Sequence, residues 1–257
     1  MCTPGTWELV RDTDLPSGHR PASSKWVYKI KENKDGTIDK FKARFTVRGF
    51  TQRQGIDYER AFSATLRSSS FRTLCALAAQ NGLQMWHVDA VSAFTQADMD
   101  VDLFVQPARG YEQIDPATGR PLLLKLKRAL YGTKQASRLW QESLSKFLTD
   151  PERGGFTRSS HDPCVYTKGS GKDLIVVACY VDDICVVTGS LAIYQQFYKT
   201  LQSSFNVEEK GKLDWFLGME VIQHDNGNIE LSQSKYIGDM LKRFVPSRQR
   251  STTCEAP

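Results

Sequence analysis

No apolar run in the 257 residues is long enough to cross a membrane; the richest, Leu174 to Cys179, is only strand-sized. The first twenty residues lack the basic start and apolar middle of a secretory signal. The expectation is a chain with no membrane partner that stays inside a cell, or inside a particle assembled there. None of the six cysteines (Cys2, Cys75, Cys164, Cys179, Cys185 and Cys254) falls in a CxxC or other zinc-like spacing. A disulfide framework and a zinc site are therefore both disfavoured, and buried reduced thiols are expected. No internal repeat and no low-complexity tract is present, which excludes a repeat array. Charge of one sign is also in short supply. Lys and Arg total 34 against 29 Asp and Glu, a net charge of +5. That excess permits nucleic-acid binding without requiring it. What is there is ordinary globular material, 40% hydrophobic and 25% charged, enough to bury a core.

Periodicity then divides the chain. Trp26, Tyr28 and Ile30 alternate with Lys29 and Lys31, which is strand spacing, and Asp35-Gly36 is a turn signal. In the return run Phe41, Ala43, Phe45 and Val47 share one face and Lys42, Arg44, Thr46 and Arg48 the other. The reading is a hairpin with an aromatic inner face and a cationic outer one. Helices are expected over Ser68–Gln80, Ser137–Leu148, Leu191–Phe205 and Gln233–Phe244, the last burying Tyr236, Ile237, Met240, Leu241 and Phe244. A short strand is expected over Gln84–Asp89, and irregular connection over Pro107–Arg120. A hairpin spans Leu174–Val187. Another pairs Trp215–Ile222 with Asn228–Leu231, turning at Asp225-Asn226-Gly227. After Pro246 the polar tail has no period. Hairpins mixed with helices, without regular strand-helix-strand alternation, predict an α+β fold, an antiparallel sheet covered by helices on one face.

The chemistry concentrates in carboxylates. Asp182-Asp183 sits between two apolar runs, at the tip of the Leu174–Val187 hairpin. Two adjacent carboxylates repel unless a cation lies between them. Hard oxygen donors at one or two carboxylates per ion suit Mg²⁺. The plainer reading is a tight turn, for which Asp is a common residue. Asp89 closes the strand Met85–Asp89, and its plainer reading is a helix cap.

Context supplies what spacing does not. His87-Val88-Asp89-Ala90-Val91-Ser92-Ala93-Phe94, Leu130-Tyr131-Gly132-Thr133-Lys134-Gln135-Ala136 and Tyr180-Val181-Asp182-Asp183 occur in that order. Lys42-Ala43-Arg44, Gly49-Phe50-Thr51-Gln52, Gly55-Ile56-Asp57-Tyr58 and Phe216-Leu217-Gly218-Met219-Glu220 accompany them. Together these strings resemble the reverse transcriptase domain of copia-type retrotransposons, over roughly Gly5 to Phe244.

The resemblance implies a right-hand polymerase fold with an antiparallel palm sheet backed by helices. Residues 1–66 and 103–136 would be fingers, 67–102 and 137–232 palm, and 233–257 the start of the thumb and a tail. It implies an RNA-directed DNA polymerase in which Asp89, Asp182 and Asp183 hold two Mg²⁺ ions, with Mn²⁺ as a substitute. Lys42, Arg44 and Arg48 would face the triphosphate, any of the three supplying the contact. Phe94 would exclude a ribose 2′-hydroxyl, its alternative being an aromatic in the core. Tyr131, Gly132 and Lys134 would line the nucleotide site. Tyr180 and Val181 would lie beneath the primer end, and Phe216, Leu217 and Gly218 would grip the primer. Implied partners are an RNA or DNA template with primer, deoxynucleoside triphosphates, and the integrase and ribonuclease H segments of a polyprotein. The implied setting is a cytoplasmic virus-like particle.

The chain also departs from the family pattern. Ala64 and Ser137 stand where the family usually has proline, and Thr95-Gln96-Ala97 where it has Leu-Asn-Gly. Only about one thumb helix follows the primer-grip hairpin, and no ribonuclease H segment is present. The expectation is a fragment of a longer polyprotein or a degenerate copy. A catalytically dead remnant that still binds nucleic acid is the rival reading.

Overall fold

Alternation of apolar and polar residues produces the strands, and three- and four-residue spacing the helices. The computed structural model describes residues 5–32 and 37–245. The Asp35-Gly36 turn, Cys2, Cys254 and the tail after Pro246 lie outside the described residues. In chain order the strands are β1 Trp7–Val10, β2 Ser24–Glu32, β3 Ile38–Val47, β4 Gln84–Ala90, β5 Phe104–Val105, β6 Leu123–Leu126 and β7 Thr157–Arg158. They continue with β8 Val165–Lys168, β9 Ile175–Tyr180, β10 Asp183–Thr188, β11 Val207–Lys212, β12 Trp215–Phe216, β13 Met219–Gln223 and β14 Ile229–Ser232. The helices are α1 Ser68–Asn81, α2 Ala136–Thr149, α3 Leu191–Gln202 and α4 Ser234–Phe244. The fold is mixed, with antiparallel sheets and four helices among the described residues.

The chain forms two compact units from interleaved segments, one of residues 5–65, 90–157 and 199–207, the other of residues 66–89, 158–198 and 208–245. In the first, β1, β6 and β5 form a three-stranded sheet and β2 pairs with β3. Its core gathers Ala22, Phe45, Val47, Leu103, Val105 and Leu126. Trp140 and Phe147 of α2 both meet Phe205 edge-on, with ring centroids 5.3 Å apart. Buried Arg138 on the same helix pairs with Asp100 and with Glu142, so its charge is not left alone in the interior.

The β2–β3 hairpin departs from the expected inner and outer faces. Trp26 pairs with Phe45, Tyr28 with Ala43 and Ile30 with Phe41. Only the base of that face is covered; Tyr28 is 72% and Phe41 76% exposed. Strand alternation fixes which residues share a face, but not how far along the ribbon another element reaches.

In the second unit six strands run β11-β4-β10-β9-β8-β7. Every residue of Ile184–Thr188 is buried, as is every residue of Ile175–Cys179. These strands are therefore covered on both faces, which is why they read as unbroken apolar runs. On one face His87 meets Phe216, which in turn packs on Phe71 of α1 at 4.9 Å. On the other, Trp86 stacks on Tyr194 of α3 at 4.5 Å. Cover on a single face, expected from sequence, is corrected to helices on both.

Other departures are local. Helix α3 ends at Gln202 rather than Phe205, at the Ser203-Ser204 pair. The serines at the start of α1 do not cap it. Asp162, distant in sequence, accepts from the Arg67 amide at 3.0 Å and the Ser70 hydroxyl at 2.6 Å. Burial opposes the charge on Asp162, but these hydrogen bonds outweigh it and hold the carboxyl below its ordinary pKa. Its contribution to stability is present above the unfolded carboxylate range and is lost as pH falls through the folded pKa. The apolar stripe of α4 is real, yet Tyr236, Ile237, Met240, Leu241 and Phe244 are all exposed.

Candidate active site

The hairpin of β9 and β10 closes on a two-residue turn, Val181-Asp182, between paired Tyr180 and Asp183. Val181 takes a φ of +57°, and Asp182 has no positive φ. That is the sign pattern of a type II′ turn, which ordinarily has glycine at its first central position. A β-branched residue there is strained, and such strain concentrates at functional sites. The strain fixes the direction in which Asp182 leaves the turn.

Asp183 is the first residue of β10 and lies directly across the ladder from Asp89 of β4. Strand alternation puts both carboxylates on one face, together with His87 two residues before Asp89. Like charges directly opposed are destabilising, so this pair needs positive charge nearby. Two neighbours supply polarity that the sequence reading missed. His87 Nε2 lies 2.9 Å from Asp183 Oδ1. Lys210, on β11 beside β4, binds Glu208 at 2.6 Å. That hydrogen bond chiefly raises the Lys210 pKa, with smaller contributions from Asp89 and Asp183. The alternation of Glu208, Lys210 and Lys212 marks a two-sided strand, but nothing local says that β11 lies beside β4.

Among the described residues no three His, Cys, Asp or Glu side chains are grouped so as to hold a metal. What the fold does bring together is a facing pair, Asp89 and Asp183, with Asp182 in the adjoining turn. As a donor set, carboxylate oxygens that would otherwise repel fit a hard divalent ion such as Mg²⁺.

The first unit collects other residues singled out in the sequence. Phe94 meets Tyr131 edge-on at 4.9 Å, and the Arg44 guanidinium lies 5.6 Å from the centre of the same ring. Phe94 rides on a short 3-10 turn, Ala93–Gln96, entered through Ser92 at a φ of +54°. Gln96, one of the departures from the family pattern, ties this turn down. Its side chain donates to the Val91 and Asn206 carbonyls and accepts from the Asn206 amide at 2.7 Å. Phe94 and Tyr131 are half-buried, Gly132 and Lys134 exposed, and Lys42 and Arg44 partly covered.

Three of the quoted motifs lock into one scaffold. Gln52 donates to the Gln135 side chain at 3.0 Å and accepts from the Lys134 amide at 2.7 Å. Gln135, fully buried, donates to the Asp57 carbonyl at 3.0 Å, and the Asp57 carboxylate holds the Arg53 amide at 2.8 Å. The Val47 amide donates to the Tyr131 carbonyl at 2.9 Å. There the backbones approach so closely that a Cβ on Gly49 would strike the Gly132 carbonyl.

The expected strand Trp215–Ile222 is instead folded back on itself. Phe216 pairs with Met219 across Leu217-Gly218, both at positive φ (+50° and +76°). This is the pattern of a type I′ turn. The Phe216 side chain is buried against Phe71, so its backbone and the exposed Gly218 are what this turn presents. Tyr180 is 37% exposed beside the carboxylates.

A family profile described as reverse transcriptase (RNA-dependent DNA polymerase) matches residues 5–255. The chain belongs to the reverse transcriptase family of retrotransposon Pol polyproteins, and to its copia type. It is 34% identical over 242 residues to the Retrovirus-related Pol polyprotein from transposon TNT 1-94 of Nicotiana tabacum, a match covering 93% of this chain and 18% of that protein. It is 32% identical over 239 residues to the corresponding polyprotein from transposon RE1 of Arabidopsis thaliana, covering 93% and 16%. The chain thus spans less than a fifth of the length of these relatives.

Proposed function

We propose that this chain is the polymerase part of a copia-type reverse transcriptase, extending a primer with deoxynucleoside triphosphates on an RNA template. The observation that carries the reading is the facing pair Asp89 and Asp183 on adjacent strands, with Asp182 in a strained turn beside them. Asp89, Asp182 and Asp183 would hold two Mg²⁺ ions, with Mn²⁺ as a substitute. Bound there, the ions would lower the pKa of the primer 3′-hydroxyl and neutralise charge on the departing pyrophosphate. The protein's own part is placement, because in-line phosphoryl transfer leaves it little covalent work. Its β9–β10 turn fixes the carboxylates, and His87 orients Asp183. Lys42, Arg44 and Arg48 would take the triphosphate, with Tyr131, Gly132 and Lys134 lining its site. Tyr180, Val181, Leu217, Gly218 and the Phe216 backbone would support the primer. In this reading residues 1–66 and 103–136 are fingers, 67–102 and 137–232 palm, and 233–257 the beginning of a thumb, in a right-hand arrangement. Integrase and ribonuclease H segments of a polyprotein would be its partners, in a cytoplasmic particle.

The test is extension of a DNA primer on an RNA template by the purified chain with Mg²⁺ and deoxynucleotides. Extension is expected. A folded chain that binds primer-template duplex without extending it would favour the second reading, an inactive remnant. The exposed apolar face of α4 is the observation on that side, since a helix whose apolar stripe is left uncovered is loosely held and grips duplex weakly.

Two further outcomes follow. Phe94→Ala removes the edge partner of Tyr131 and opens the proposed sugar pocket. Discrimination against ribonucleotides should fall about 10- to 100-fold, ~1.4–2.7 kcal/mol, in single-nucleotide incorporation assays. Unchanged discrimination would return Phe94 to a packing role. Lys210→Met removes a cation that competes for the carboxylates. Mn²⁺ affinity, followed by electron paramagnetic resonance, should rise about threefold, kept small by solvent screening. An unaltered affinity would show that Lys210 does not sense the pair.

A further inference from the structure

The short turn that carries Phe94 is entered through a residue that does not suit it. Ser92 has a φ of +54°, a left-handed conformation that residues other than glycine rarely adopt. Such a conformation persists only where the surroundings over-determine it. Within the turn, the Ser92 carbonyl accepts from the Thr95 amide at 3.0 Å and from the Thr95 hydroxyl at 2.9 Å, and the Phe94 carbonyl accepts from the Ala97 amide at 3.1 Å. These bonds are internal. They fix the shape of the turn but not where it stands.

Its place is set from outside, at two anchors. The first is the Gln96 side chain. Its Nε2 donates to the Val91 carbonyl at 2.9 Å and to the Asn206 carbonyl at 3.0 Å, while its Oε1 accepts from the Asn206 amide at 2.7 Å. The Val91 amide donates to that same Asn206 carbonyl at 3.0 Å. Asn206 lies 110 positions further along the chain and is a firm support. Its neighbours Phe205 and Val207 are both buried, and Phe205 meets Trp140 and Phe147 edge-on. The second anchor is the Ala129 amide, which donates to the Ala97 carbonyl at 2.9 Å just before Tyr131. Held at both ends, the turn sets the Phe94 ring 4.9 Å from the ring of Tyr131. Glutamine at position 96 has one methylene more of reach than the asparagine of the family pattern.

We infer that Gln96 is a positioning residue for sugar selection: by clasping Asn206 it holds the strained turn, sets Phe94 against Tyr131, and so governs how strictly a ribose 2′-hydroxyl is refused. The inference rests on the polymerase reading and on Phe94 as its sugar gate. Gln96 touches no substrate and acts through Phe94. Release of the clasp lets Ser92 relax toward negative φ, and the Phe94 ring then leaves its place.

The test is a double-mutant cycle on the full chain, read as kcat/KM for a deoxynucleotide over kcat/KM for the matching ribonucleotide. Gln96→Leu keeps most of the bulk of the side chain and removes all of its hydrogen bonds. Alone, it should lower that ratio about tenfold, chiefly through a lower KM for the ribonucleotide. Added to Phe94→Ala, it should lower the ratio no further. A purely structural role predicts slower incorporation of both nucleotides at an unchanged ratio, and that result would overturn the inference. So would a full tenfold loss in the Phe94→Ala background, because Gln96 would then act by another route.

A second measurement needs no catalysis. With 4-fluorophenylalanine placed at position 94, the fluorine-19 signal should be a single line in the parent chain and should shift or split in Gln96→Leu. A folded chain that extends no primer while this line moves refutes the polymerase reading and upholds the clasp. A chain that extends primers while the line stays in place refutes the clasp alone.

Discussion

Asp183→Asn is expected to abolish primer extension, by at least about 10³-fold, or ~4 kcal/mol of transition-state stabilisation. Asparagine keeps the shape of the side chain at the head of β10 but gives up its charge and half its capacity as an oxygen donor. The folded state should not suffer. Asp183 and Asp89 oppose each other across the ladder, and removing one of two like charges relieves their repulsion. The variant should therefore melt at the wild-type temperature or slightly above it, and bind duplex with unchanged affinity. That combination separates loss of chemistry from loss of structure. A variant that extends primers near the wild-type rate would remove Asp183 from the site.

Gly132→Ala should be the most damaging small substitution in the first unit, at about 3 kcal/mol or more by urea denaturation. A left-handed residue other than glycine costs ~1–2 kcal/mol, and Gly132 has a φ of +86°. Overpacking adds ~1–3 kcal/mol. A Cβ at Gly132 would strike the Val47 carbonyl oxygen and come within 2.6 Å of Thr46 Cγ2. Neither is the far end of a flexible side chain. Gly18 is the control, with a φ of +84° and open space for 4 Å around the methyl group that alanine would add. Gly18→Ala should cost only the conformational part, ~1–2 kcal/mol. Equal losses at both positions would show that the contact at Val47 is not what makes Gly132 necessary.

Much of this was legible in the residues themselves. Helices α1 and α2 and the β9–β10 hairpin follow from period and from turn chemistry, but the turn lies one residue earlier than the expected Asp182-Asp183 tip, on Val181-Asp182, and Asp183 heads β10. What escaped has a common physical cause. The Leu217-Gly218 turn puts leucine where hairpin rules expect Asn, Asp or Gly, so an unbroken strand looked natural. Lys210 belongs to the carboxylate site only because β11 pairs beside β4, across more than a hundred residues of chain. The stripe on α4 and the paired Ile30 and Phe41 of the β2–β3 hairpin show the limit of periodicity. An apolar face records which residues lie together, and is silent on whether anything covers them. Gln52 and Gln135 were quoted as motif letters, while their role as a buried amide clasp emerges only when residues 83 positions apart meet.

The four described thiols carry one last consequence. Cys75, Cys164, Cys179 and Cys185 are all reduced thiols buried in the second unit. Burial pushes the Cys75 thiol up to about 11 and raises Cys179 and Cys185 well above the ordinary thiol value too, so almost none of their sulfur is thiolate at neutral pH. Cys179 and Cys185 sit in the very strands that present Tyr180 and Asp183. An alkylating reagent can reach these sulfurs only when that sheet parts. Counting labelled thiols over time, by mass, thus clocks the opening of the sheet that carries Asp89 and Asp183, using reporters that the chain already contains.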